Sequence, residues 1–198
     1  MNPAPVAETT TIAVTGLGRS GTTMLSRILL ALKTEMGDNL TPQFAEDKDI
    51  LLLIKARDLE GFAKYCRARD AQHLHWGFKC PALRGILGQA VPLMRNPRVI
   101  IIFRDILAVS QRNTLSTNVN LPDTLQQAAR SYLKLVNQAQ SISAPLLLIS
   151  YEKALQYPQA LVHSIAKFSG NSISENQAAD IAATTVINAD PRYIGSAK

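Results

Sequence analysis

The densest chemistry in the chain lies in Gly16-Leu17-Gly18-Arg19-Ser20-Gly21-Thr22-Thr23. Gly16 and Gly21 stand at the G-x-x-x-x-G spacing of a phosphate-binding loop. Glycines let backbone N–H groups turn inward onto anionic oxygens, and a helix starting at Thr22 adds the partial positive charge of its first turn. A nucleoside-triphosphate loop places Lys directly after the second Gly and uses the next Ser or Thr on Mg²⁺. Thr22 occupies the lysine position here, and the fixed charge comes earlier, at Arg19. The segment therefore reads as an anion cradle without the parts for ATP or GTP hydrolysis. A glycine-rich turn with no ligand is the bland alternative. Two threonines, a serine and an arginine at one junction argue against it.

Two further cations sit at comparable places. Arg104 follows Val99-Ile100-Ile101-Ile102-Phe103, five bulky apolar residues of which four are β-branched. An Arg at the end of a buried strand calls for an anionic partner, either a ligand or an internal acid such as Asp105. Lys79 ends the extended segment Trp76-Gly77-Phe78-Lys79, which Pro81 halts. It is either a second donor at the site or a surface lysine.

The elements that must position these residues follow from periodicity. Residues 11–15 read as a buried strand and 22–32 as a helix with Leu25, Ile28, Leu29 and Leu32 on one stripe. A polar loop, 37–44, contains Pro42. Helices are expected over 46–56, 58–69 and 82–93. Another follows Arg104-Asp105, and an amphipathic one covers 123–138, with Leu125, Ala129, Tyr132 and Val136 at helical spacing. Leu146-Leu147-Leu148-Ile149 is a further strand. Leu161, Ile165 and Phe168 mark a helix ending at Gly170, a good C-cap residue, and an Ala-rich helix covers 174–185. Residues 1–10 read as a loose leader and 186–198 as an irregular tail. Non-alternating strands joined by helical crossovers indicate α/β architecture: three layers, α/β/α, around a central, mainly parallel sheet. In such sheets ligands bind at the carboxyl ends of the strands. The turns after Thr15, Phe103 and Ile149 are then the places that matter.

Composition narrows the partners. The chain has 198 residues, 46% hydrophobic and 18% charged, which suits one globular domain over 1–198 and excludes disordered and fibrous classes. The net charge of +6 suits an anionic ligand. The basic residues are dispersed and the aromatics do not alternate with them, so nucleic acid is not an expected partner. Cys66 and Cys80 lack metal-type spacing and read as buried or partly buried thiols. No signal-peptide pattern opens the sequence, and the longest apolar run, 50–54, is too short to cross a bilayer. A cytoplasmic protein without stable membrane insertion is expected, and the sequence leaves room for a homodimer.

The loop resembles the 5′-phosphosulfate loop of sulfotransferases, roughly Pro-Lys-Ser-Gly-Thr-Thr. Gly18-Arg19 replaces Pro-Lys, and Ser20 to Thr23 match. Other segments agree in order. Trp76-Gly77-Phe78-Lys79-Cys80-Pro81 resembles W-G-x-K-x-P. Asn96-Pro97-Arg98 through Arg104-Asp105 resembles the strand leading to the 3′-phosphate site. Leu148-Ile149-Ser150-Tyr151-Glu152, then Pro158 and Phe168-Ser169-Gly170, resembles Y-E-D…P…F-L-G. The resemblance spans about 12–170. It implies a P-loop nucleotide-hydrolase-like fold and 3′-phosphoadenosine-5′-phosphosulfate (PAPS) as co-substrate, with no metal required. It also implies sulfuryl transfer to a hydroxyl or amine, a carbohydrate or small metabolite being favoured as acceptor. Gly18, Arg19, Ser20, Gly21, Thr22 and Thr23 would bind the donor, Arg104 would hold the 3′-phosphate, and Tyr151 would stack on adenine.

The sequence departs from the family pattern at three points. The family's serine eight residues after the strand-end Arg is Arg112 here, with Ser110 nearby; two positions on a helix differ by about 200°, so the two cannot easily face one phosphate. The late R-K-G element is missing, and Pro191-Arg192-Tyr193 is a weak substitute. The histidine base of a K-T-H segment is also absent from Lys79-Cys80-Pro81. Family members that act on sugars use a glutamate after the first helix, which the resemblance puts at Glu46, the candidate preferred by position; the alternative is His75, which lies with His73 on one face of an extended segment. Arg19 would act on the leaving phosphate by electrostatics, and Lys79 as a second donor. Residues 37–48 and 113–122 are the expected acceptor loops. Two other classes compete: a P-loop nucleotide kinase, and a non-catalytic nucleotide-binding domain.

Overall fold

The computed structural model describes residues 9–117 and 119–187. Four strands form one parallel sheet: β1 (Thr10–Gly16), β2 (His75–Lys79), β3 (Pro97–Phe103) and β4 (Leu146–Ser150), in the order β2-β1-β3-β4. β1 pairs Thr11 with Trp76 on one side and with Pro97 on the other, and β3 pairs Phe103 with Ser150. The central strands read as continuous apolar runs because both faces of the sheet are covered.

One face carries Ala13, Val99 and Ile101 together with Trp76 and Phe78. It packs on α2 (Lys48–Ala56), α3 (Leu59–Gln72), α4 (Leu87–Ala90), α5 (Ile106–Thr117) and α6 (Leu121–Gln140). The other face carries Ile12, Val14, Ile100, Ile102 and Ile149. It packs on α1 (Thr22–Ala31), α7 (Tyr151–Gln156), α8 (Pro158–Ser169) and α9 (Glu175–Thr185). The expected three layers are present, with every strand pair parallel.

Several expectations need correction. The helix expected over 82–93 is a 3₁₀ turn (Pro81–Gly85), the single turn α4 and a second 3₁₀ turn (Val91–Leu93). Gly85, Gly88 and Pro92 each weaken a continuous helix there. In α6 the buried stripe is Thr124, Ala128 and Leu135, with Tyr132 half-buried, while Ala129 and Val136 face outward. The stripe runs one position earlier than expected because polar Thr124 turns inward and its hydroxyl donates to the Leu121 carbonyl at 2.9 Å. Thr10, assigned to the leader, is the first residue of β1. Residues 1–8 of that leader, the tail from 188 onward, and the substitute Pro191-Arg192-Tyr193 lie outside the described residues. Cys66 and Cys80 are both buried free thiols, and no helix among the described residues is long and apolar enough to cross a membrane.

Candidate active site

A cleft of about 580 Å³ opens over the carboxyl ends of all four strands. Its floor is the loop between β1 and α1. Leu17 anchors this loop in the core with 4% exposure. Ser20 is fully buried, and its hydroxyl and N–H both donate to the Leu17 carbonyl, at 2.6 and 3.2 Å. Ser20 therefore shapes the loop and does not reach the cleft, unlike the other donor-loop candidates Gly18, Arg19, Gly21, Thr22 and Thr23. Gly21 has φ of +102°, and a Cβ there would come within 2.5 Å of the Tyr151 ring, so only glycine fits. No side chain caps α1 at Gly21. The first N–H groups of the helix open onto the cleft, where an anion can accept from them.

Arg104, at the end of β3, is tied at both backbone atoms. Its N–H donates to the Tyr132 hydroxyl at 3.0 Å, and that hydroxyl donates to the Arg104 carbonyl at 2.7 Å. Burial raises the Tyr132 pKa, so the hydroxyl keeps its proton for this bond. The Arg104 guanidinium lies 4.2 Å from the centre of the Tyr151 ring and donates to the Arg19 carbonyl at 3.1 Å. Its Nε is buried with no partner. Asp105 does not pair with it; the Asp105 carboxylate accepts from the Ala108 N–H at 2.8 Å and caps α5.

Tyr151 is only 4% exposed, packed against Gly21 and stacked with Arg104. It lines the cleft, and its ring carries the Arg104 guanidinium. Ser110 is fully buried and bonds to the Ile106 carbonyl of its own helix at 2.7 Å, whereas Arg112 lines the cleft. Of the two candidates for the 3′-phosphate, the helix turns only Arg112 toward the site.

Over β2 stands a buried ion pair. Lys79 Nζ lies 2.5 Å from Glu46 Oε1, with the lysine side chain 2% and the glutamate 19% exposed. Lys79 is thus no surface lysine. Burial lowers its pKa, and the adjacent Glu46 carboxylate opposes that shift. Glu46 reaches this place because its loop is built around Asp47. The fully buried Asp47 carboxylate accepts from the N–H groups of Asp49, Ile50 and Asp38 at 2.9, 3.1 and 3.2 Å and from the Tyr65 hydroxyl at 2.6 Å. It caps α2 and closes the loop in one stroke. Gly37, at φ +91°, allows this, since a Cβ there would strike Asp47 Oδ2. Asp38 is held in turn by an ion pair to the buried Arg69 of α3. On the near side, Thr23 and Ser26 of α1 donate to the carbonyls of Phe44 and Ala45 at 3.4 and 3.2 Å.

His75 does not join the site. It is exposed at the amino end of β2, paired with Thr10, and about 13 Å of strand separates it from Lys79. All strands run the same way, so the start of β2 lies at the edge of the sheet opposite the cleft. His73, the C-cap of α3, precedes it there. Of the two expected acceptor loops, 37–48 contributes Gln43, Phe44 and Glu46 to the cleft; 113–117 is helical and, apart from Arg112 just before it, that region supplies no described lining residue. Sequence reasoning missed Asp47, Tyr65 and Arg27, the last an exposed residue of α1 that also lines the cleft. Among the described residues, no three His, Cys, Asp or Glu side chains are grouped to hold a metal.

No family model and no curated protein matches the sequence. Solved structures do match. Sulfotransferase STF1 from Mycobacterium tuberculosis is 16% identical over 88% of this chain and 70% of that one, with a TM-score of 0.60. Mouse sulfotransferase SULT7A1, complexed with PAP, is 15% identical over 88% of this chain and 64% of that one, with a TM-score of 0.59. Retinol dehydratase in a complex with retinol and PAP is 17% identical over 90% and 65%, with a TM-score of 0.51. The chain therefore has the α/β fold of the sulfotransferases. It spans about two thirds of the length of retinol dehydratase and of SULT7A1.

Proposed function

We propose that the chain is a PAPS-dependent sulfotransferase acting on a hydroxyl or amine acceptor. One observation carries this reading: the loop at the end of β1 and the pair Arg104 and Arg112 beyond β3 line the same cleft. Cations from two strand ends around one cleft suit a donor that carries two anions, a 5′-phosphosulfate and a 3′-phosphate. The orphaned Arg104 Nε supports the fit, because a buried N–H without a partner favours a ligand that supplies an acceptor.

The donor supplies a sulfuryl group on a phosphate leaving group; its sulfur–oxygen bond breaks as the acceptor atom bonds to sulfur. Thr22, Thr23 and the first N–H groups of α1 hold the 5′ end. Arg19 offsets the charge growing on the leaving oxygen, acting as a fixed cation because a guanidinium does not give up its proton at ordinary pH. Glu46 accepts the acceptor's proton. Lys79 fixes the direction of the Glu46 carboxylate.

Titration calorimetry with 3′-phosphoadenosine-5′-phosphate (PAP), beside a sulfate-transfer assay over an acceptor panel, tests the reading. PAP should bind one to one, and Arg19→Ala should cut transfer by roughly 10²-fold with little change in unfolding midpoint. Absence of PAP binding sinks the proposal, and Mg²⁺-dependent ATP turnover would replace it with a kinase. PAP binding without transfer to any acceptor would point to a nucleotide-binding domain.

A further inference from the structure

Among the described residues, five cationic side chains line the cleft: Arg19, Arg27, Lys79, Arg104 and Arg112. On the sulfotransferase reading, upon which this inference rests, Arg19, Arg104 and Arg112 serve the donor and Lys79 serves Glu46. Arg27 is left over. It follows Thr23 by one helical turn of α1, so the two side chains share a face, with a rise of about 6 Å between them. Thr23 donates to the Phe44 carbonyl and Ser26 to the Ala45 carbonyl, so this stretch of α1 is the wall that carries the Glu46 loop. Arg27 accordingly stands on the α1 wall, in the half of the cleft where the Glu46 loop docks.

In that half, Lys79 and Glu46 neutralise each other. The exposed Arg27 guanidinium makes no ion pair or hydrogen bond with the described residues, and it sets the sign of the charge an incoming acceptor meets. Gln43 and Phe44, the latter 46% exposed, line the same wall and offer an amide and an apolar surface. Without Arg27 this wall would offer an acidic acceptor no cation, because Lys79 is engaged by Glu46, and an amine would meet repulsion from Arg27. We propose that Arg27 selects an acceptor carrying a carboxylate. Its guanidinium fork takes that group, an apolar part of the acceptor lies on Phe44, and a hydroxyl faces Glu46.

The test uses acceptor pairs that differ in charge, 4-hydroxyphenylacetate with 4-hydroxyphenylacetamide and glucuronate with glucose. The wild type should favour the better acid over its neutral partner by at least about tenfold in kcat/KM. Arg27→Gln should bring that ratio near one, Arg27→Lys should restore part of it, and Arg27→Glu should invert it. The PAP Kd, measured by calorimetry, should stay within about twofold in all three, which separates loss of acceptor selection from loss of folding. A wild-type ratio near one, a ratio that Arg27→Gln leaves in place, or PAP binding with no use of either acid overturns the proposal. Loss of PAP binding by the wild type would instead sink the underlying sulfotransferase reading.

Discussion

Glu46 and Lys79 are worth more to the site together than either is alone. Lys79 is buried at 2% exposure, and its charge is tolerated because Glu46 stands 2.5 Å away. Its folded pKa lies below its unfolded value. Between those two values the unfolded chain binds more protons, so the cost of burying Lys79 is full at lower pH and is relieved as pH rises toward 10.5. Glu46→Gln removes the opposing charge. Its stability in urea should fall by about 3 kcal/mol at neutral pH, and by less at about pH 9.5. Adding Lys79→Met should recover most of that stability but, on the proposed mechanism, none of the transfer activity. A double variant no more stable than the single one would show that the pair is not what holds this corner. Arg104 carries a second prediction. Arg104→Lys keeps the charge but loses the flat stacking on Tyr151 and the fork that reaches the Arg19 carbonyl. PAP affinity should fall about tenfold by calorimetry.

At the scale of elements, the 37–47 loop is the piece that makes the site, and Asp47 is its fastening. Asp47→Ala leaves the α2 terminus uncapped and Tyr65 Oη without its acceptor, so unfolding should become easier by about 2–4 kcal/mol. Tyr65→Phe should cost about 1–2 kcal/mol. Both should lower kcat more than they weaken PAP, because the donor half of the cleft hangs on β1 and β3. Equal losses in both readouts would mean that the loop serves stability alone. This loop also marks where the sequence stopped being legible. The run 99–103 reads as a strand because burial on both faces leaves no polar interruption, and Gly16 to Thr23 reads as an anion loop because its spacing is local. Asp47 depends on Gly37, Asp38 and Tyr65, none of which periodicity brings to it. The packing of Tyr151 on Gly21 and Arg104 joins three separate strand ends, which no local pattern announces. His75 was expected in the site because a short extended segment does not announce which end faces the ligand. Arg27 looks like any solvated residue on a helix until the opposite wall is in place.

At the scale of the whole molecule, both cysteines belong to one core, the one beneath α2, α3 and α6. Burial pushes the Cys80 thiol up to about 11 and the Cys66 thiol up to about 12, from an ordinary 9.0. A raised acid pKa means that the unfolded chain loses its proton first, so stability is level below about pH 9 and falls as pH climbs toward 11 and 12. Each thiol should contribute about 1.4 kcal/mol per pH unit within its window. Chemical denaturation at about pH 8, 9 and 10 should show that slope, and Cys66→Ala with Cys80→Ala should flatten it. An unchanged slope in the double variant would assign the alkaline loss to other groups.

The strand order β2-β1-β3-β4 has a consequence for how the protein is made. β1 is synthesised first among the strands yet sits inside the sheet, with β2 on one edge and β3 on the other. Until residues 75–79 have left the ribosome, Thr10–Gly16 has neither neighbour, and until 97–103 follow, its backbone N–H and C=O groups stand open on one side. Folding then waits on distant pairings, which places it among slow, non-local folders. The nascent chain must keep an apolar, β-prone segment from pairing with other chains for most of that wait.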